Sequence, residues 1–141
     1  MNSEFLLFSN LAQSEILMFE YYTVFLRKDN IIQIQVKDNF ECELEDSQNM
    51  LNCIQQLSDG RKYPLLVIYS DFNSFSDEAK ALVAKHTLTS ADALVGKGTA
   101  FKIVGNFYLR ISTPVRPTRL FTDVESALIW LEKYKNPMLL S

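Results

Sequence analysis

At 141 residues, with 48% hydrophobic, 12% aromatic and 22% charged content, the chain suits one soluble domain with a substantial core. A second domain would be too small to bury a core of its own. The formal net charge of −3 and isoelectric point near 5.1 exclude general adhesion to nucleic acid or an anionic membrane, which needs a basic surface.

Along the chain, residues 1–19 (MNSEFLLFSNLAQSEILMF) place Phe5, Phe8, Ala12, Ile16 and Phe19 at rough helical spacing. They lack the basic start and unbroken apolar centre of a secretory signal, and Glu4, Asn10, Gln13 and Glu15 rule out a membrane span. Two readings stay open: a helix packed on the domain, or an extension ahead of a natural start at Met18. The domain proper is expected over 20–135, with a tail at 136–141.

EYYTVFLR (20–27) and IIQIQV (31–36) read as an antiparallel hairpin, turned by Lys28, Asp29 and Asn30. Met50, Leu51, Ile54 and Leu57 recur at helical spacing over 44–58, with Gly60 placed as a left-handed stop. Cys53 lies on that apolar face as core filler. It and Cys42 are too few for a disulfide framework and are expected as free thiols in a reducing cytoplasm.

PLLVIY (64–69) has the continuous apolarity of a strand covered on both faces. Ser76 as N-cap, followed by Asp77 and Glu78, predicts a second helix from 77 to His86. ADALV (91–95) is a weaker strand, broken by Gly96, Lys97 and Gly98. A third helix is predicted over 99–109, with Ala100, Val104, Phe107 and Tyr108 inward. Pro114 and Pro117 end it, and Thr118–Phe121 forms the last strand. Thr122 and Glu125 fit a capping box for a final helix burying Val124, Ala127, Leu128 and Leu131. The order is strand, strand, helix, then three strand–helix pairs. It predicts an α/β domain with a mostly parallel sheet behind an antiparallel hairpin.

KYPLLV (62–67), IVGNFYLRI (103–111) and PTRLFTDVESALIWL (117–131) resemble a family of small, uncharacterised bacterial proteins with the fold of the STAS domain of anti-sigma-factor antagonists. The resemblance spans roughly 20–134 and implies a STAS-like β-β-α-β-α-β-α-β-α fold. In STAS antagonists, the loop after the central strand presents a phosphorylatable serine at the next helix start. The matching region here, YSDFNSFSDEAKAL (69–82), places Ser76, or less closely Ser74, near that position. The Asp-Ser-Ser-Gly pattern of the regulated antagonists is absent, and Asp71, Asp77 and Glu78 would repel a phosphate, so Ser76 reads first as a plain N-cap.

Charge is unevenly spread, with six acids and no Lys or Arg from Asp38 to Asp59, and five bases and no acid from Ala93 to Thr122. Solvated faces account for this more simply than a partner does. Lys97 and Gly98 between strand and helix, with Arg110, Arg116 and Arg119, would make an anion site if the fold brought them together, although a lone GxG is a weak signal. His86 is placed to cap the last carbonyls of the second helix or to fill a core edge; as a general base it would need an oriented partner. No metal site is expected from a lone histidine, and no cofactor is implied. Tyr21, Tyr22, Phe25, Phe72, Phe75, Phe101, Phe107 and Tyr108 are enough to line an apolar pocket, although core packing explains most of them.

The expectation is a non-enzymatic STAS-like regulatory or protein-interaction module of a bacterial cytoplasm, with an unidentified protein partner or as a homodimer. The alternative is a binder of a small anionic or lipid-like ligand at the strand C-terminal ends, near Ser70–Phe75 and Gly96–Thr99. STAS folds resemble lipid-carrying SEC14-type domains in outline.

Overall fold

The apolar run at Leu65 becomes a central strand of a six-stranded sheet in a computed structural model that describes residues 16–135. In chain order the strands are β1 (Ile16–Met18), β2 (Tyr22–Leu26), β3 (Ile32–Val36), β4 (Glu41–Cys42), β5 (Leu65–Ile68), β6 (Ser74–Phe75), β7 (Asp92–Val95) and β8 (Thr118–Phe121). The helices are α1 (Leu44–Ser58), α2 (Asp77–Lys85), α3 (Gly98–Ser112) and α4 (Val124–Glu132).

The main sheet runs β1-β2-β3-β5-β7-β8, antiparallel across β1, β2 and β3 and parallel from β3 onward. Each parallel connection steps the same way across the sheet. Right-handed crossovers therefore put α1, α2 and α3 on one face and leave the other to α4. The burial agrees. Leu65, Val67 and Leu94 pack with Met50, Ile54, Ala79 and Tyr108, whereas Leu66, Ala93 and Val95 pack with Ala127 and Leu131.

Several boundaries differ from expectation. Residues 16–18, expected in an N-terminal extension, add β1 to the sheet, so the folded unit begins before residue 20; residues 1–15 and 136–141 lie outside the described residues. Helix α4 is capped one residue later than expected. The Asp123 carboxylate, not Thr122, accepts from the Ser126 amide at 2.7 Å and from its hydroxyl at 3.0 Å, which satisfies one of the free amides at the helix start. Asp59 takes the left-handed position ending α1 at φ 47°, ahead of Gly60. The two-residue strands β4 and β6 pair in parallel as a separate small sheet. Phe107, expected inward on α3, is 57% exposed, whereas Val104 lies on the inward side with Ala100 and Tyr108 and is half-exposed.

Candidate functional site

Between the three-helix face and the sheet lies an apolar chamber of about 400 Å³. Strands β3, β5, β7 and β8 supply Ile34, Val36, Leu65, Val67, Leu94 and Leu120 as one wall. Helix α1 contributes Met50, Leu51 and Ile54. The inward residues of α2 and α3 are short, notably Ala79, Val83, Ala100 and Gly105, and they leave the space between helices and sheet unfilled. At Gly105 the backbone of α3 comes so close to β8 that a Cβ would stand 2.7 Å from Leu120 Cδ1.

The chamber runs along the strands. Of its exposed lining residues, Ser70, Asp71, Phe72, Lys97 and Ala100 gather at the strand C-terminal ends and the start of α3, and Val104 lies farther along that helix. Tyr69, Phe75 and Phe101 form an aromatic collar there, with Tyr69 at 5.4 Å from Phe75 edge-on and 5.6 Å from Phe101. Phe72 stands beside them, 82% exposed at φ 58°. The loop carrying it is tied down by Asp38, which accepts from the Ser70 hydroxyl and the Asp71 amide, and by Asn73, which donates to the Lys37 carbonyl at 2.9 Å.

The far end, at the strand N-termini, is polar. Asp92 opens β7, and its side chain is 2% exposed. Its Oδ1 accepts from the Thr89 hydroxyl at 2.5 Å, and its Oδ2 accepts from Arg116 Nε at 2.7 Å and forms an ion pair with Nη2 at 2.5 Å. Arg116 Nη1 donates to the carbonyls of Ala84 at 3.1 Å and His86 at 3.3 Å, which closes the C-terminus of α2. His86 lines the same end, its side chain 5% exposed and its Nε2 3.8 Å from Asp92 Oδ2. Burial pushes the imidazole down to about 4, Arg116 adding to the effect and Asp92 opposing it. Tyr108 of α3 and Thr118 of β8 complete this end, and burial pushes the Tyr108 phenol up, keeping it protonated.

The predicted site residues are dispersed by this arrangement. Arg116 is structural, spent on Asp92 and on backbone carbonyls. Lys97 and Arg110 stand at opposite ends of α3, about 20 Å apart along its axis. Arg119 points to the α4 face, over the Phe121 ring at 5.2 Å. The anion cluster is therefore not assembled. The glycines beside Lys97 serve the backbone: Gly98 turns the chain into α3 at φ 88°, and a Cβ on Gly96 would overlap the Phe101 ring. Ser76 is the N-cap of α2, its hydroxyl oxygen accepting from the Ala79 amide at 3.1 Å, and Ser74 is exposed in β6. Of the aromatic residues considered for a pocket, Phe72, Phe75, Phe101 and Tyr108 line the chamber. Tyr22 and Phe25 are core residues, Tyr21 stacks on Phe40, and Phe107 faces out.

Cys42 and Cys53 are buried free thiols, and burial pushes Cys42 up to about 11, well away from reactive thiolate chemistry. Among the described residues there is no cluster of metal-ligating side chains, and no helix is long and apolar enough to cross a membrane.

No functionally curated protein matches the chain. Among solved structures it is similar to an uncharacterised protein of the DUF3478 family with a SpoIIAA-like fold from Shewanella loihica PV-4. The TM-score is 0.55 at 14% identity, covering 82% of this chain and 98% of that one. A protein of unknown function from Arthrobacter sp. FB24 matches at 24% identity over 77% of this chain and 97% of its own, with a TM-score of 0.30. The first likeness establishes a SpoIIAA-like fold, the STAS-type architecture implied by the sequence motifs. Residues 25–135 match the family described as a domain of unknown function, DUF7793, and the chain belongs to that family.

Proposed function

We propose that this domain is a non-enzymatic binding module that holds a small, largely apolar ligand in the chamber between the sheet and α1, α2 and α3. The observation that carries this reading is the chamber itself, whose volume and apolar walls with a few polar groups are those of a ligand site. Binding is favoured over turnover because the polar groups at the deep end are largely spent on one another, Asp92 on Thr89 and Arg116.

Leu94→Phe tests the reading, because Leu94 faces the chamber from the middle of the sheet. A full core would be overpacked by this change at about 1–3 kcal/mol. Here stability in urea is expected to hold or rise, while affinity for Nile red falls at least about tenfold, the equivalent of 1.4 kcal/mol lost from binding. Lost stability with unchanged dye binding would show that the dye sits elsewhere and the space is not a ligand site.

A second reading, the protein-interaction role implied by the STAS resemblance, draws support from α3. Ile103 and Phe107, one turn apart, form an outward apolar patch on it. If this patch pairs two copies of the chain, sedimentation gives a dimer with a concentration-dependent melting temperature, and Phe107→Glu gives a folded monomer whose melting temperature no longer varies with concentration. A wild-type monomer at all concentrations removes the homodimer.

A further inference from the structure

The polar end of the chamber carries information about what would lie in it. His86 Nδ1 accepts the Leu88 amide at 3.2 Å, so the ring proton belongs on Nε2. That Nε2 is buried, and among the described residues no acceptor stands within hydrogen-bonding distance; the nearest carboxylate oxygen, Asp92 Oδ2, is 3.8 Å away. A buried donor left unmade is costly, so it is matched in the working state of a protein.

The surroundings define the match. Asp92 Oδ2 accepts from Arg116 Nε and is ion-paired with Nη2, and its Oδ1 accepts from Thr89, so the carboxylate offers little to a ligand that needs to donate. Nη2 makes no hydrogen bond among the described residues, but that pair neutralises it and, unlike His86, it does not line the chamber. The same carboxylate lines the chamber and disfavours a ligand anion, with the Arg116 charge already paired to it. The Thr118 hydroxyl hydrogen is spent on the Arg116 carbonyl at 3.1 Å. Tyr108, on the chamber wall at the same end, brings a second hydroxyl donor. This end of the chamber is thus a place to accept a hydrogen bond without carrying charge.

We infer that the ligand is an uncharged apolar molecule bearing a carbonyl group, whose oxygen accepts from His86 Nε2–H at the deep end while its apolar body runs toward the aromatic collar. The inference rests on the chamber being a ligand site and adds the chemical class and orientation of what fills it.

Four probes of equal chain length separate the possibilities by Nile red competition with the full chain: octane, octanol, octanoate and methyl hexyl ketone. The ketone is expected to bind about tenfold more tightly than octane, the worth of one hydrogen bond to a buried donor. His86→Leu is expected to level the two. Because His86 is the only histidine, the wild-type protein supplies a readout that needs no variant. The Nε2–H proton resonance moves downfield with the ketone and stays in place with octane. Equal binding of ketone and octane, an unmoved imidazole signal, or tightest binding by octanoate or octanol would overturn the carbonyl assignment while leaving the chamber as an apolar site. Failure of all four probes to compete would remove the chamber reading itself.

Discussion

Replacing Arg116 with methionine is expected to destabilise the domain by about 3–5 kcal/mol in urea or guanidinium unfolding, because Asp92 is left charged, buried and without its main donors. The loss extends beyond the pair. Arg116 also ties the carbonyls of Ala84 and His86, so its removal loosens the segment that leads from α2 to β7. The double variant Asp92→Leu with Arg116→Met is expected to recover most of the loss, since two apolar side chains replace two desolvated charges. A single-variant loss below about 1 kcal/mol, the range of exposed ion pairs, would show that the pair is hydrated in solution.

Acid is expected to weaken the fold before the carboxylates titrate. The His86 imidazole sits at about 4 in the folded chain against an ordinary 6.5, so the unfolded chain takes up the proton more readily. Stability from this group is therefore complete above 6.5 and is lost as pH falls toward 4. The full loss is about 3 kcal/mol, at no more than about 1.4 kcal/mol per pH unit. Urea midpoints measured across that window give the slope, and His86→Leu should flatten it, since no other histidine is present. Asp123, held below the usual carboxylate range by its two bonds to Ser126, acts in the same direction at still lower pH. A flat profile in the wild type would place the imidazole in water rather than against Asp92.

Much of the architecture could be read along the chain because periodicity and stop signals agreed locally. Helix α1 has the predicted limits, and β8 falls on the predicted Thr118–Phe121, where Pro117 fixes its start. The errors have local causes. Thr122 and Asp123 are adjacent capping residues, and only backbone geometry selects the second. Phe107 was expected inward because α3 carries a wider apolar stripe than its contact with the sheet uses, and periodicity does not say which edge of a stripe is covered. Strands of two residues, such as β4 and β6, have no periodicity to read.

The site was legible only in fragments. The crevice between Ser70 and Phe75 was expected at the strand ends, but its depth depends on how far Ala79, Ala100 and Gly105 fall short of Val67 and Leu94. From sequence Arg116 reads as available for an anion, because its partner is 24 residues away. The signal that could have found the pair is Asp92 itself. A carboxylate inside the apolar strand ADALV must either face water or find a cation, and a strand between two others leaves no water.

The one-way winding of the sheet divides labour between framework and contents. The α4 side of the sheet closes as a cluster of its own, whereas the other cluster takes in Ala79 and Ala84 of α2. The dimensions of the chamber are written on the inner sides of α2 and α3, in positions 79, 83, 100 and 105. Longer side chains at 83 or 100 are expected to shrink the chamber while the sheet stays as it is, whereas any side chain at 105 would first displace Leu120 of β8. On the ligand-binding reading proposed above, the side chains at 83 and 100 set the size of molecule that the chamber takes.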